Sequence, residues 1–257
     1  MIFLAAGTAD GRQLVGRLLV AGYSVAASVT SRYGAELLAA GEGRGQLLIN
    51  EEPLDATALI HYCGEHAVRC IIDASHPYAV HVSENAMAAA AKLSLPYLRY
   101  ERSLTPLDGD IHVVRDYEEA ARLAAALGRR IFLTTGSHNL KVFTTSPALA
   151  EAVLIARVLP TSEVLVACEA LGLKPAQIVA MQGPFSAVLN LEMFRRYEAE
   201  VLVTKNSGQV GGTDTKLAAA KALGLPVVLI DRPQLSYPHL AHTFEEVLSF
   251  LAQQEAV

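Results

Sequence analysis

The sequence predicts an α/β protein with two mostly parallel sheets, each covered by helices on both faces. Three observations lead there. Short β-branched runs alternate with longer Ala- and Leu-rich amphipathic stretches along the whole chain. The strand candidates number eleven, more than the ~10 that one twisted open sheet comfortably holds. The pattern also restarts midway, where Thr134-Thr135-Gly136-Ser137 follows a second apolar run. Repeated β-then-α alternation implies parallel strands, because the helix carries the chain back over the sheet between them.

The elements follow in order. Strands are expected at Ile2–Ala6, Ser24–Val29, Gln46–Ile49, Cys70–Ala74 and Tyr97–Tyr100, with helices at Arg12–Ala21, Ala35–Ala40, Asp55–Gly64 and Val80–Leu93 between them. A weaker strand, Ile111–Val114, leads into a helix at Tyr117–Leu127. After the restart at Arg130, strands are expected at Val153–Ala156, Ile178–Met181, Val201–Thr204 and Val227–Ile230. Helices fall at Ser162–Leu171, Phe185–Tyr197, Thr215–Leu223 and Phe244–Gln253. The expected domains are 1–115 and 116–257, two Rossmann-like halves with a firm interface and the active cleft between them. Eight βα units would also suit a closed barrel of this length. The glycine turns of the first half and the unequal chemistry of the strand ends favour open sheets.

Composition narrows the function classes. Of 257 residues, 52% are hydrophobic and 18% charged, enough for a substantial core. A net charge of −5 argues against a nucleic-acid partner, whose phosphates favour basic surfaces. No run is long enough to span a bilayer, and no charged-then-apolar leader precedes the first strand, so a cytoplasmic protein is expected. Cys63, Cys70 and Cys168 lack metal-knuckle spacing and read as buried thiols, and no residue set has metal-ligand spacing.

In open α/β sheets ligands collect beyond the carboxyl ends of the strands. The first such end, Gly7-Thr8-Ala9-Asp10-Gly11-Arg12, resembles a phosphate-binding turn that opens a helix. Against the G-x-G-x-x-G fingerprint, Gly7 fills the first position, Ala9 the second and Arg12 the third, with an extra glycine at Gly11. Arg12 is too large for close helix–strand packing, so the helix is expected to sit further out or to start differently. The second strand ends in Ser28-Val29-Thr30-Ser31-Arg32, hydroxyls and a guanidinium where an NAD site places an acid. That favours the 2′-phosphate of NADPH, with NADH as the alternative.

The fourth strand ends in Asp73-Ala74-Ser75-His76-Pro77-Tyr78. His76 and Tyr78 are candidate proton-handling groups, although Asp73 and Ser75 would also serve simply as helix caps. Arg99 and Arg102 follow on the fifth strand, where an ion pair to Glu101 is an equal reading. In the second half, Ser137 and Asn139 are placed to feed a helix N-terminus, Arg157 ends a strand, and Gln182-Gly183-Pro184-Phe185-Ser186 opens another helix. The loop Lys205-Asn206-Ser207-Gly208 through Gly211, Gly212 and Lys216 resembles an anion nest, without the order of a Walker loop. Cations at so many strand ends, on an acidic protein, call for a polyanionic ligand.

Taken together these segments resemble the precorrin-6A reductases of cobalamin biosynthesis, including their cobalt-precorrin-6A counterparts. The residues carrying the resemblance are Gly7–Arg12, Asp73–Ala79, Tyr100-Glu101-Arg102, Leu133-Thr134-Thr135-Gly136, Arg157-Val158-Leu159-Pro160, Gln182–Ser186, Thr204–Gly208 and Asp231-Arg232-Pro233. Asp10 stands where Glu is more usual, Ser75 for Thr and Tyr78 for Phe, all conservative departures. The resemblance implies hydride reduction of one double bond in a tetrapyrrole by a nicotinamide cofactor, NADPH or NADH. Gly7, Thr8, Ala9, Gly11 and Arg12 would then hold the pyrophosphate, and Ser31 or Arg32 the adenosine end. Arg99, Arg102, Ser137, Arg157, Ser186, Lys205, Ser207 and Lys216 would meet the substrate's carboxylate arms. His76 and Tyr78 would be the catalytic candidates, with any metal belonging to the substrate. The competing classes are a reductase of another carboxylated metabolite, which would normally carry a Tyr-x-x-x-Lys pair absent here, and a two-lobed binding protein without catalysis.

Overall fold

The computed structural model describes residues 1–29, 32–39, 45–102, 108–208 and 211–255. The chain forms two units, Met1–Ser103 with Pro233–Val257, and Leu104–Arg232. Each contains one six-stranded sheet, and every strand pair is parallel.

In the first unit, β1 (Ile2–Ala5), β2 (Val25–Ser28), β3 (Leu47–Asn50), β4 (Cys70–Asp73) and β5 (Tyr97–Tyr100) are joined by α1 (Ala9–Val20), α2 (Arg32–Ala39), α3 (Ala56–Glu65) and α4 (Val80–Leu93). The second unit holds β6 (Ile111–Val114), α5 (Tyr117–Leu127), β7 (Arg130–Leu133), α6 (Leu140–Thr144), β8 (Val153–Val158), α7 (Ser162–Ala170), β9 (Ile178–Ala180), α8 (Ala187–Arg196), β10 (Val201–Lys205), α9 (Thr213–Leu223) and β11 (Val227–Ile230). The closing β12 (Leu240–Ala241) and α10 (Phe244–Glu255) return to the first unit.

Strand order explains where ligands are to be sought. The first sheet runs β12-β5-β4-β1-β2-β3. The chain moves outward from β1 to β3, then returns to lay β4 on the other side of β1. The second sheet runs β6-β11-β10-β7-β8-β9 and repeats that reversal, with β10 laid beside β7. The turns after β1 and β4, and after β7 and β10, therefore flank the switch points at which Rossmann-like sheets open a crevice.

The core follows the period-two rule of a sheet buried on both faces. In β1, Ile2 and Leu4 pack on one side with Leu14, Leu18, Leu38 and Val247 of the helices. Phe3 and Ala5 pack on the other with Leu59, Cys63, Ala86 and Ala90 of α3 and α4. Leu14, Val15, Leu18 and Leu19 make one buried stripe of α1, each contributing ~1.5–3 kcal/mol by leaving water. In the second unit Phe132, Ile155, Phe194, Leu202 and Ala220 form the corresponding cluster under α8 and α9. All three cysteines are buried free thiols.

The boundary expected at residue 115/116 is displaced. β6, assigned from sequence to the first half, pairs with β11 in the second sheet, through Val227↔Ile111 to Ile230↔Val114. The C-terminal segment, assigned to the second half, returns to the first sheet, where Leu240 and Ala241 pair with Arg99 and Tyr100. Val247 and Leu251 of α10 are apolar positions four apart that need a partner, and the first core supplies it. The two-residue β12 was not foreseen, and the five-residue α6 was anticipated only as a helix N-terminus fed by Ser137 and Asn139, since neither is long enough to show a period.

Candidate active site

The first turn is built by α1 starting three residues earlier than its apolar period suggests. Thr8, in extended conformation, caps α1, and its Oγ1 accepts a hydrogen bond from Gly11 N at 2.9 Å. The same hydroxyl donates to Ala74 O at 2.9 Å, tying the turn after β1 to the turn after β4. With the helix beginning at Ala9, the close-packing position passes from Arg12 to Gly11. A Cβ on Gly11 would lie 2.8 Å from Ala6 Cα, so only glycine fits there. Arg12 is thereby freed from the packing conflict expected for it, and α1 sits close against the strand. A Cβ on Gly7 would meet nothing within 4 Å, so backbone at the mouth of the sheet is open to a ligand.

Beside this turn lies a cavity of about 380 Å³ lined by Gly7, Ser28, Asp55, Ser75, His76 and Asn85, among others. It opens at the carboxyl ends of β1, β2 and β4. His76 is exposed and its Nδ1 accepts from Tyr78 N at 3.3 Å, with the two rings 5.6 Å apart. Arg102 forms an ion pair with Asp10 in the first turn of α1. Burial pushes the Asp10 carboxyl up against the opposing pull of Arg102 and Arg12.

Arg99 has a different place from the one expected of a substrate ligand. It is fully buried, and its Nη1 donates to Asp73 Oδ1 at 2.8 Å and to Ser75 Oγ at 3.0 Å. Asp73 also accepts from Ser75 N at 2.9 Å, Ser83 Oγ at 2.5 Å and the Tyr97 hydroxyl at 2.9 Å. Burial alone would raise the Asp73 carboxyl, but Arg99 and these donors outweigh it and hold it below the ordinary carboxylate range. With no solvent face to offer an anion, Arg99 fixes the backbone from which Ser75 and His76 emerge. Tyr237, from the returning C-terminal segment, lies with its ring 5.4 Å from the guanidinium.

The second unit gathers cations at its own switch point. Arg157, near the end of β8, is 8% exposed, donates from Nη1 to Asn190 Oδ1 at 2.6 Å, and lies 4.3 Å from the Phe185 ring centroid. Lys205 ends β10, and Lys216 sits in the first turn of α9 with 5% exposure. Burial lowers Arg157 to about 10 and Lys205 to about 8. For Lys216, burial and then the charges of Arg157 and Lys205 bring it to about 7, against a partial restoring pull from Asp214. Among the described residues Lys216 makes no ion pair. The buried hydroxyl oxygens of Thr135 and Thr204, at the ends of the neighbouring β7 and β10, have no hydrogen-bond partner among the described residues.

Thr213, at the start of α9, is tied back to the end of β10. Thr213 Oγ1 donates to Lys205 O at 3.2 Å and accepts from Ser207 N at 3.2 Å. A Cβ on Gly211 would lie 2.1 Å from Ser207 Oγ, and Gly212 has φ +65°, so both positions need glycine.

Of the expected site residues, Gly7, Thr8, Ala9, Gly11, Arg12, His76, Tyr78 and Arg102 belong to the switch-point turns and strand ends of the first sheet. Arg157, Lys205, Ser207 and Lys216 belong to those of the second. Ser186 spends its hydroxyl as the cap of α8, accepting from Leu189 N at 3.1 Å. Ser137 lies in the turn after β7, where its carbonyl accepts from Leu140 N at 3.2 Å. Asn139 caps the short α6 without a side-chain bond. Ser31 lies outside the described residues, and Arg32 opens α2. Sequence reasoning missed Asn190, which holds Arg157, and the orphaned Thr135 and Thr204. Asn190 falls one helical turn after Ser186, a polar residue on an otherwise apolar face, which was the available signal.

The family model for the precorrin-6x reductases CbiJ/CobK matches residues 1–252. The chain belongs to this family. It is 41% identical over 256 residues to the cobalt-precorrin-6A reductase of Priestia megaterium, with 99% of each chain covered. It is 36% identical over 238 residues to that of Salmonella typhimurium, covering 90% of this chain and 87% of the relative. The precorrin-6A reductase of Rhodococcus erythropolis is 32% identical over 258 residues, covering 98% and 96%. A solved structure of CobK precorrin-6A reductase superposes with a TM-score of 0.79 at 26% identity, covering all of this chain and 98% of that one. As a precorrin-6x reductase, the chain is a nicotinamide-dependent oxidoreductase of cobalamin biosynthesis. No helix among the described residues is long and apolar enough to cross a membrane.

Proposed function

We propose that the chain reduces a ring double bond of a precorrin-6A tetrapyrrole, with the first unit holding the nicotinamide cofactor and the second binding the substrate's carboxylate arms. The observation that carries this reading is the cluster of Arg157, Lys205 and Lys216. Arg157 and Lys216 are buried, and Lys216 makes no ion pair among the described residues; such buried charge is costly, and a multiply carboxylated ligand is what would offset that cost.

The residues of the first unit suit a dinucleotide. Gly7 leaves open space, Gly11 allows α1 to approach, and Thr8 joins two turns, so backbone N–H groups at the start of α1 are available to a pyrophosphate. Arg12 adds a cation on the first turn. The cofactor supplies a hydride when bound. For its identity the reading is NADPH over NADH, because β2 is followed by Val29-Thr30-Ser31-Arg32 and not by an acid.

Arg99 and Asp73 are positioning residues that hold the turn carrying His76. His76 and Tyr78 are the groups of that turn with a proton to give, and water is an equal donor. The chain's contribution is therefore mainly orientation and electrostatics. The substrate's metal content is a separate matter, since the cations recognise peripheral carboxylates.

The test is anaerobic incubation with cobalt-loaded and metal-free precorrin-6A, each with NADPH and with NADH. The proposal expects one of the tetrapyrroles to gain two hydrogens with stoichiometric oxidation of NADPH. Cofactor binding without tetrapyrrole turnover would point to a reductase of another metabolite. Absence of any cofactor binding would point to a ligand-binding protein.

A further inference from the structure

In the second unit Arg157 of β8 is held by Asn190 of α8 at 2.6 Å, Asn190 in turn reaches Thr215 Oγ1 of α9 at 3.4 Å, and Lys216 is the next residue, with Lys205 at the end of β10. The charged groups that act on Lys216 are Arg157, Lys205 and Asp214 of its own helix. From α8 the neighbour is the neutral Asn190, already engaged with Arg157 Nη1. Lys216 is 5% exposed and makes no ion pair among the described residues. Water can solvate it little, two like charges oppose it, and a single carboxylate one residue pair away favours it. In low dielectric that balance disfavours a third positive charge until an anion arrives.

We propose that the second unit binds its anion together with a proton, the incoming carboxylate charge drawing Lys216 into the ammonium form, so that Lys216 sets the pH range over which substrate is held. This rests on assigning the cluster to the substrate's carboxylate arms. The buried hydroxyls of Thr135 and Thr204, at the ends of β7 and β10, lack partners among the described residues. The free lysine titrates at about 7. Above that point each binding event must recover a proton from solvent, and apparent affinity falls with rising pH.

The experiment is the pH dependence of KM for the tetrapyrrole at saturating cofactor, from about pH 6 to about pH 9. The substrate's carboxylates are ionised throughout that range. For the native enzyme KM should be level below about pH 7 and rise towards tenfold per pH unit above it. Lys216→Arg, which keeps its charge, should stay level until Lys205 titrates at about 8. Lys216→Met should show a raised KM already at about pH 6 and no break near 7. A native profile level past pH ~8, or the same break in Lys216→Arg, overturns the proposal.

A second readout needs no turnover. Tricarballylate, a small tricarboxylate, is titrated calorimetrically at about pH 7.5 in buffers of different protonation enthalpy. Native protein should take up roughly three quarters of a proton or more per ligand, the neutral fraction of a lysine at about 7. Lys216→Met should take up much less. Binding without uptake in the native protein overturns the proton linkage and leaves the carboxylate pocket standing. No binding at all overturns both.

Discussion

Replacing Lys216 by Met should stabilise the ligand-free protein, although it removes a binding group. In the folded second unit, burial and then the charges of Arg157 and Lys205 bring this lysine from 10.5 to about 7. At about 1.36 kcal/mol per pH unit, the folded state loses roughly 5 kcal/mol by holding the ammonium at pH values below 7. The side chain is 5% exposed, so solvent screening relieves little of this. Asp214 loses a favourable neighbour in the variant, which trims the gain.

The sign of the pH dependence follows from proton counting. Between about 7 and 10.5 the unfolded chain binds the proton that the folded chain has released, so native stability rises with pH across that window. Lys216→Met lacks this slope. Its advantage should be close to ~5 kcal/mol near pH 6 and fall to about 2 kcal/mol near pH 9. Met is similar in volume to the lysine stem, so packing changes should stay within ~1.5 kcal/mol. The assay is urea titration followed by hydrogen exchange in peptides from β10 and α9, which reports the second unit on its own. A variant no more stable than native near pH 6, or an advantage that does not shrink as pH rises, would refute the reasoning.

Four further substitutions probe the first unit. Gly11→Ala places a Cβ 2.8 Å from Ala6 Cα; a forced shift of α1 should cost about 2 kcal/mol and weaken NADPH binding about tenfold. Thermal unfolding and NADPH fluorescence titration check it, and unchanged values in both would remove Gly11 from the cofactor turn. Asp73→Asn removes the nearer carboxylate from buried Arg99, leaving only that of Glu101 at 3.6 Å among the described residues, and should cost about 3 kcal/mol at pH 7. Because the native carboxyl is held below its ordinary 3.8, that contribution is complete above 3.8 and is lost as pH falls through the lower folded value, so native and variant should converge only in strong acid. His76→Ala and Tyr78→Phe should each lose less than about a thousandfold in turnover, in keeping with a site that works by orientation. A larger loss with cofactor affinity unchanged would make that side chain an obligatory proton donor.

Much of this was legible in the sequence because its signals are local. Each core strand is a short apolar run ending in a turn, and Gly7, Gly136 and the Gly211-Gly212 pair mark strand ends whatever the topology. Long-range pairing was not legible. Nothing in Leu240-Ala241 shows that it pairs with Arg99 and Tyr100, since a two-residue edge strand has no period. The same holds for β6, whose run Ile111–Val114 suits either sheet until β11 claims it.

Site chemistry divides the same way. The cations at strand ends could be enumerated, but their partners could not. Arg99 and Arg157 both end strands and look alike in sequence. Arg99 meets Asp73 from the adjacent strand and is neutralised, whereas Arg157 meets Asn190 and keeps an unbalanced charge. For Arg12 the sequence left two outcomes open, and the structure shows the helix starting differently. The fingerprint was counted from Gly7, while the Thr8 cap starts the helix at Ala9 and hands the tight position to Gly11.

The central claim, hydride reduction of a precorrin ring by a bound nicotinamide, is tested most directly by isotope transfer. NADPH deuterated at the transferring C4 position is incubated anaerobically with precorrin-6A and the enzyme, and the tetrapyrrole product is weighed by mass spectrometry. The account predicts a product one mass unit heavier than that from unlabelled NADPH, with the deuterium on a ring carbon. A reduced product free of deuterium, or consumption of NADPH with the tetrapyrrole unchanged, would contradict it.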